Sequence, residues 1–367
     1  MATYIILLFA VVLLCIGAGK NKKRQVICSA IILGIMATMC ALRGINCGTD
    51  NINYLQIFTQ KEYSSLEIGF IASYYIFPNF QLWLSAFAIA TYSILFFQLK
   101  KETLYMCMGV LIFMISTSKF FPESFNVIRQ SLAASLILWS FISWQHSKKK
   151  QAFIGILTAM LFHTSSIIAL PFFLLKNVKF PYWLCAIAVV STVILGMRHI
   201  INETLQLFVI GATEYNSNDS LVDIANKYSS YGYGESETSA NAMLVNTFPI
   251  TAMALITYPW SEEAKTKYGF YYNIFIIATI IGNIFIPAMQ YGFRLVFSLQ
   301  IVQVLVLPLA FQYSKKVWKQ LIICYLAVLS LVYLYYIYLL PITGIRSIVP
   351  YQFMDDLQVV INALIGQ

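Results

Sequence analysis

Residues 125–150 read FNVIRQSLAASLILWSFISWQHSKKK, and this stretch decides the class of fold. Its apolar run, 127–144, is close to the roughly 20 residues that a helix needs to cross a bilayer. An arginine stands near the start of the run, and three lysines follow its end. The whole chain is as apolar as this stretch, since 59% of its 367 residues are hydrophobic and only 11% are charged. A soluble domain carries about 25% charged residues, so we exclude a soluble enzyme and predict an all-α polytopic membrane protein.

Further apolar runs stand on both sides of this stretch. They lie at 3–19, 26–42, 80–98, 103–118, 181–198, 243–259, 269–287, 294–311 and 320–340. One more apolar segment, 152–175, is too short for two full crossings of a bilayer. We predict that it is a re-entrant hairpin or a pair of broken half-helices. The sequence therefore predicts about 10 to 12 membrane segments in one domain covering residues 1–367.

The distribution of positive charge predicts the orientation of the chain, because cytoplasmic loops carry an excess of Lys and Arg. If segment 152–175 leaves the membrane on the side where it entered, 16 of the 24 Lys and Arg residues lie inside. A single crossing there would leave 13 inside and 11 outside. We prefer the first arrangement, which puts both termini, the loops 43–79 and 199–242 and the tail 341–367 outside. The functional site should then face outward, where most of the non-membrane chain lies.

The two sides also differ in the type of positive charge. The inside set contains 15 Lys and one Arg, whereas five of the six Arg residues lie outside. Lys suits an orientation anchor, but the planar Arg fork can grip a phosphate or carboxylate with two hydrogen bonds. We therefore read the net charge of +9 as an orientation signal combined with an external anion site, and we expect no nucleic-acid partner.

A polar wedge begins the quoted stretch. Asn126, Arg129 and Gln130 are spaced so that one continuous helix would place them on the same face as Ala133. Ionisable groups inside a membrane are costly and mark functional sites. Arg129 and Arg294 both stand in the first turn of a predicted helix, where a cation opposes the helix dipole and a bound anion would satisfy both. The alternative is an interfacial arginine that reaches out to lipid headgroups.

Three more segments carry polar candidates. Arg43 and Asp50 flank a glycine-containing turn ahead of Tyr54, although Arg43 alone could be a helix cap and Asp50 a turn residue or surface ion pair. Glu67 begins a short apolar stretch. His163 stands beside hydroxyl side chains in the predicted hairpin, where it could act as a base or only hydrogen-bond across helices.

Motifs for metal or nucleotide binding are absent from the sequence. The seven Cys residues form no CxxC pair, the three His residues form no HExxH motif, and no P-loop is present. We therefore expect no metal site and no cofactor.

The order of these segments resembles the EpsG-like Wzy polymerases, which are bacterial repeat-unit polymerases of O-antigen, capsule and exopolysaccharide. The resemblance covers nearly the whole chain, and its specific part is F-N-x-x-R-Q with a downstream H-T-S. The residues that carry it are Arg43, Gly48-Thr49-Asp50, Tyr54, Glu67-Ile68-Gly69-Phe70, Phe125-Asn126-Val127-Ile128-Arg129-Gln130, His163-Thr164-Ser165-Ser166, Arg294 and Pro350-Tyr351.

The resemblance implies a GT-C-like helical bundle and a metal-independent glycosyltransferase in the bacterial plasma membrane, with its active site facing the periplasm or exterior. Its substrates would be oligosaccharides on undecaprenyl pyrophosphate, and its other partners membrane lipids and a chain-length regulator. We expect Arg129 and Arg294, with Arg43 nearby, to bind the pyrophosphate. The base candidates are Asp50, Glu67 and His163. The side chains expected to orient the substrate are Asn126, Gln130, Tyr54 and Tyr351.

Other classes stay open on the sequence alone. A flippase or transporter of lipid-linked oligosaccharides would share the composition and the external arginines, but should show repeated halves. An O-antigen ligase uses the same donor with a different acceptor. A membrane-bound O-acyltransferase could use His163, and an assembly partner without catalysis would need no polar wedge.

Overall fold

In a computed structural model, the described part of the chain is all-helical. It comprises residues 2–45, 47–48, 50–60, 67–197, 246–288, 292–339 and 351. No β-strand occurs in these ranges. The predicted external loop 199–242 and almost all of the tail 341–367 lie outside them. The all-α class predicted from the sequence is therefore confirmed.

In the described residues, nine helices precede the break at His163. They are α1 (Ala2–Ala18), α2 (Lys22–Ala41), α3 (Asn51–Gln60), α4 (Ile68–Ile76), α5 (Phe80–Glu102), α6 (Met106–Ile115), α7 (Phe120–Asn126), α8 (Ile128–Gln145) and α9 (Lys149–Phe162). A 3-10 segment follows at Thr164–Asn177. The later helices of the described chain are α10 (Tyr182–Met197), α11 (Phe248–Ile256), α12 (Glu262–Ala288), α13 (Gly292–Gln300), α14 (Gln303–Tyr313) and α15 (Lys316–Leu339).

Fewer helices than predicted are long and apolar enough to cross a bilayer. The described residues contain five, or six if α6 and α7, which are bent by 60°, count as one span. Helices α1 and α10 are shorter and apolar. Helix α8 has 18 residues but carries Arg129, Gln130 and four serines, which lower its hydropathy. The predicted count of 10 to 12 segments is thus not confirmed.

The outer surface of the bundle is apolar, as lipid contact requires. On α1, for example, Ile6, Leu13 and Ile16 are exposed, whereas Tyr4 and Val11 are buried in the core. Exposed large apolar side chains recur on α5, α9, α10 and α15. A water-soluble protein rarely exposes such contiguous apolar surface, so the fold is that of a membrane protein.

The lysine-rich loops meet at one end of the bundle, which we call the lysine end. It is formed by residues 20–25, 100–107, 145–150, 176–179, 261–268 and 312–319. His146 Nε2 lies 2.6 Å from Glu102 Oε1, and Gln145 Nε2 donates to the carbonyl of Thr266 at 3.1 Å. The backbone N–H of Leu104 donates to Gln312 Oε1. The lysine-rich loops, which the positive-inside rule places on one side of the membrane, therefore do lie together.

The segment after α8 turns back on itself. Helix α9 starts at the lysine end and stops at His163, and the 3-10 segment Thr164–Asn177 returns to the same end. There Lys176 Nζ donates to the carbonyl of Trp144 at 2.9 Å and to Ser147 Oγ at 3.0 Å. Residues 149–177 thus form a hairpin whose tip is His163. The return of the chain agrees with the prediction that segment 152–175 leaves on the side where it entered.

The opposite end of the bundle, the arginine end, is formed by residues 42–45, 47–48, 50–54, 67–70, 123–130, 163–164 and Arg294. It differs from the prediction at one point, because α7 ends at Asn126 and α8 begins at Ile128. Asn126 therefore does not continue the face of Arg129 and Gln130, and the predicted single-helix wedge is wrong. The loop after α2 crosses at this break, where a Cβ on Gly48 would lie 2.9 Å from the carbonyl of Phe125.

Candidate active site

Three predicted residues from distant segments meet at the arginine end. Glu67 Oε2 lies 2.5 Å from Nη1 of Arg129. Glu67 Oε1 lies 3.5 Å from Nδ1 of His163, and it accepts a hydrogen bond from the backbone N–H of Thr164 at 3.2 Å. One carboxylate thus bridges the start of α8 and the tip of the hairpin.

The local backbone presents each of these side chains. Glu67 is extended, with φ −70° and ψ 144°, immediately before α4. Arg129 is the second residue of α8, so its guanidinium lies at a helix N-terminus. His163 is extended, with φ −156° and ψ 102°, at the break between α9 and the 3-10 segment.

Two glycines bring the helices that carry the site into close contact. A Cβ on Gly69 of α4 would lie 2.7 Å from Leu161 Cβ and 2.8 Å from its carbonyl oxygen. A Cβ on Gly155 of α9 would lie 2.2 Å from Ser140 Oγ of α8. These distances are too short for any side chain, so the spacing between Glu67 and His163 depends on glycine at position 69.

Arg129 retains the capacity to bind a further anion. Its guanidinium lies 4.9 Å above the ring of Phe70 and interacts with the hydroxyl of Tyr54. A guanidinium has five N–H donors, so contacts with one carboxylate oxygen and one hydroxyl do not use them all. The side chain is 26% exposed, which leaves it accessible from outside the bundle.

The environment fixes the protonation state of Glu67. Burial by itself would raise the pKa of this carboxyl group, but the His163 ring, the charge of Arg129 and the backbone N–H groups outweigh it and lower the pKa to about 2. Burial raises the pKa of Tyr54 to about 12, so its hydroxyl stays neutral at physiological pH. Glu67 is therefore ionised at all pH values at which the protein works, and it is a weak base.

A second set of charged side chains, around Glu123, lies next to the cluster of Glu67, Arg129 and His163. Gln130 Nε2 donates to the backbone carbonyl of Arg294 at 2.7 Å, which links α8 to the first turn of α13. The side chain of Arg294 is exposed. Arg294, Asp50 and Lys119 all act electrostatically on Glu123, a carboxylate that is 6% exposed.

Glu123 was not among the predicted site residues. An acidic residue within the apolar sequence FFPESFN is nevertheless a signal for function. Its partners could not be foreseen, because Asp50 and Arg294 are far from it in the chain.

The other predicted residues occupy the same end of the bundle with different contacts. Arg43 is buried and caps α2, since Nη1 donates to the carbonyl of Cys40 at 2.6 Å and Nη2 lies 3.4 Å from Asn51 Oδ1. A Cβ on Gly48 would lie 3.1 Å from Asn126 Oδ1. The hydroxyl of Tyr351 donates to the carbonyl of Met39 at 3.0 Å.

Metal binding has no evident site in the part of the chain that the structure describes. In these ranges no three His, Cys, Asp or Glu side chains are grouped to hold a metal ion. The arginine end carries three guanidinium groups and three carboxyl groups, those of Arg43, Arg129, Arg294, Asp50, Glu67 and Glu123.

The fold and the site define a helical membrane protein with a partly buried charged cluster at one end. The family model described as "EpsG family" matches residues 26–353. The chain belongs to the EpsG family, the Wzy-type polymerase family, and membership indicates a polysaccharide polymerase-like function. No curated protein and no solved structure matches the chain.

Proposed function

We propose that the chain is a polysaccharide repeat-unit polymerase. It would move the nascent glycan from undecaprenyl pyrophosphate onto the non-reducing end of a new lipid-linked repeat unit, at the external face of the bacterial plasma membrane. The observation that carries the proposal is the meeting of Glu67, Arg129 and His163 at one end of a membrane bundle. Family membership supplies the class of reaction.

The chemistry of this transfer matches the groups in the cluster. The acceptor hydroxyl oxygen forms a bond to the anomeric carbon of the donor sugar, and the bond from that carbon to the pyrophosphate oxygen breaks. Undecaprenyl pyrophosphate leaves with the bonding electrons, and the hydroxyl proton passes to a base. Because the donor is already activated, the reaction needs no nucleotide, and we propose that it needs no metal ion. Arginine donors stabilise the developing charge on the leaving group.

The geometry favours particular roles. We assign the pyrophosphate to Arg129 and Arg294, which stand in the first turns of α8 and α13. Glu67 is the positioning residue, because it contacts both Arg129 and His163. A carboxylate with a pKa of about 2 is a poor proton acceptor, so His163 is the preferred base and Asp50 the alternative. The contacts of Arg43 make it a structural cap.

The remaining features belong to the same proposal. Family membership supports a GT-C-like bundle, and we propose that residues 1–367 form a single membrane domain. Placing the lysine end in the cytoplasm would make the active site face the periplasm or exterior. The partners would be lipid-linked oligosaccharides, membrane lipids and a chain-length regulator. Asn126, Gln130, Tyr54 and Tyr351 would orient the substrate or its surroundings.

Product analysis in a strain that lacks the chain tests the class of reaction. Loss of a polymerase leaves single repeat units on the final acceptor, and wild-type chain restores polymer. Polymer that accumulates on the carrier lipid would indicate an O-antigen ligase instead. Units that accumulate on the cytoplasmic face would indicate a flippase.

The same strain tests the site. Arg129→Lys keeps a positive charge but loses the planar fork, so we expect it to restore little polymer. Arg24→Lys is the matched control, because Arg24 is exposed at the lysine end. Full polymer yield and length with Arg129→Lys would contradict the phosphate role of Arg129.

A further inference from the structure

A cavity of about 510 Å³ opens at the lysine end, away from the candidate active site. It lies between the end of the 3-10 segment Thr164–Asn177, the loop that follows it, and the first turns of α12. Lys176, Lys179 and Lys265 line it, together with the apolar side chains of Val178 and Phe180. The cavity is therefore amphipathic, with three cations beside an apolar wall.

The charges around this cavity do not cancel. Glu262 is the carboxylate that contacts the lysines, with Oε2 3.2 Å from Lys179 and Oε1 2.7 Å from Lys265. Lys176 donates to a backbone carbonyl and to the hydroxyl of Ser147. These three lysines and Glu262 carry a net charge of +2, so the cavity favours an anion.

Aromatic side chains place the cavity at the depth of lipid headgroups. Tyr258 lines it and packs against Trp260, with ring centroids 4.9 Å apart. Trp260 also stacks on Trp318 at 5.5 Å, and 47% of it is exposed. Trp and Tyr concentrate at the interface between the bilayer and water. Basic pockets between helices at this depth bind the phosphates of anionic lipids.

We propose that this cavity binds the phosphate of an anionic phospholipid headgroup. Lys176, Lys179 and Lys265 would contact the phosphate, and the apolar wall would hold the start of an acyl chain. The site lies at the base of the hairpin whose tip carries His163. It is separate from the polymerase proposal, which concerns the opposite end of the bundle.

Gly269 offers a way to fill the cavity without disturbing the fold. It lines the cavity, and the nearest atom to an added Cβ is Lys265 Cβ at 3.9 Å. A Gly269→Leu side chain would therefore occupy the space meant for the lipid. Gly17→Leu is the matched control, because an added Cβ there meets no atom within 4 Å.

Native mass spectrometry of the purified full chain tests the proposal. The protein is prepared in micelles that contain dioleoylphosphatidylglycerol or dioleoylphosphatidylcholine, and the retained lipid is counted. We expect the wild type to retain phosphatidylglycerol preferentially. Gly269→Leu and the triple variant K176Q/K179Q/K265Q should each retain roughly tenfold less. The triple variant K22Q/K23Q/K100Q removes the same charge from exposed lysines at the same end and should retain as much as the wild type.

Three results would overturn the assignment. Equal retention by the wild type, Gly269→Leu and K176Q/K179Q/K265Q would show that the cavity is not the site. An equal loss in K22Q/K23Q/K100Q would reduce the effect to overall charge. Binding of inorganic phosphate or glycerol 1-phosphate in phosphatidylcholine micelles, without any preference for phosphatidylglycerol, would identify a soluble phosphate as the ligand instead of a lipid.

Discussion

Each end of the bundle contains a glutamate beside a histidine, and the two pairs differ in their surroundings. At the lysine end, Glu102 lies 2.6 Å from His146 and accepts a hydrogen bond from the hydroxyl of Tyr271 at 2.9 Å. At the arginine end, Glu67 lies 3.5 Å from His163. The first pair joins the ends of α5, α8 and α12. The second pair lies at the tip of a hairpin and includes Arg129.

The comparison shows that burial of a carboxylate does not by itself mark a functional site. The side chain of Glu102 is 7% exposed and that of Glu67 is 14% exposed, so the lysine-end carboxylate is the more buried of the two. The difference lies in the neighbours. Glu67 contacts a guanidinium that still has donors to offer. The neighbours of Glu102 are His146, the hydroxyl of Tyr271, and Lys101, whose Nζ lies 4.0 Å from Glu102 Oε1.

The two histidines provide the largest expected difference. We expect His163→Gln to lower polymer formation roughly a hundredfold, because general-base catalysis contributes factors of this order. His146→Gln should change it by less than about threefold, because an exposed hydrogen bond contributes little. Polymer yield from membranes of the null strain carrying each variant measures both effects.

Two outcomes would contradict the prediction for His163 and His146. Equal losses in the two variants would mean that both pairs serve only to hold helices together. Normal polymer formation with His163→Gln would leave Asp50 as the base.

A smaller effect is expected from Gly69→Ala, which pushes α4 away from α9. The added Cβ would lie 2.8 Å from the carbonyl oxygen of Leu161, which cannot move as a flexible side chain would. The distance between Glu67 and His163 should increase, and polymer formation should fall about tenfold, since misplacement by about 1 Å costs this much or more.

Gly17→Ala is the control for this variant and should keep wild-type activity, because nothing lies within 4 Å of the added atom. Wild-type activity in Gly69→Ala would show that the close contact between α4 and α9 does not position the site.

The features of the fold that depend on charged loops and apolar runs were predictable from the sequence. Counting Lys and Arg predicted which loops meet at the lysine end, and it predicted that segment 152–175 returns to the side where it entered. Both predictions rest on the cost of carrying charge across a bilayer, which acts on each segment independently. The break at Val127 was not predictable, because it arises where the loop at Gly48 packs against α7.

The sequence predicted which residues belong to the candidate site, but not how they contact one another. The polar residues Glu67, Arg129 and His163 each stand out in an apolar segment. Their contact depends on how α4, α8 and α9 pack through Gly69 and Gly155, and no local pattern encodes that packing. Glu123 was missed for the same reason, since its neighbours Asp50 and Arg294 come from other segments.

The lowered pKa of Glu67 predicts how the stability of the protein depends on pH. The pKa of Glu67 is lowered to about 2 in the folded protein, so its contribution is present above its unfolded pKa of about 4.5 and is lost as the pH falls towards about 2. Glu67→Gln should therefore lower the Tm by about 2 °C between pH 5 and 8, and the difference should shrink below pH 4.5.

Thermal unfolding in detergent from pH 8 to pH 3.5 measures this difference. Gly17→Ala again provides the control, with a Tm that stays parallel to that of the wild type. A Tm difference for Glu67→Gln that stays the same from pH 5 down to pH 3.5 would contradict the lowered pKa of Glu67.

The central claim is that the arginine end holds a lipid-linked pyrophosphate, and binding of undecaprenyl pyrophosphate to the purified chain tests it most directly. The wild type and Arg24→Lys should bind with equal affinity, because Arg24 lies at the lysine end. Arg129→Lys should bind about tenfold more weakly, since it loses the planar fork that matches phosphate. Equal affinity of Arg129→Lys and the wild type would contradict the claim.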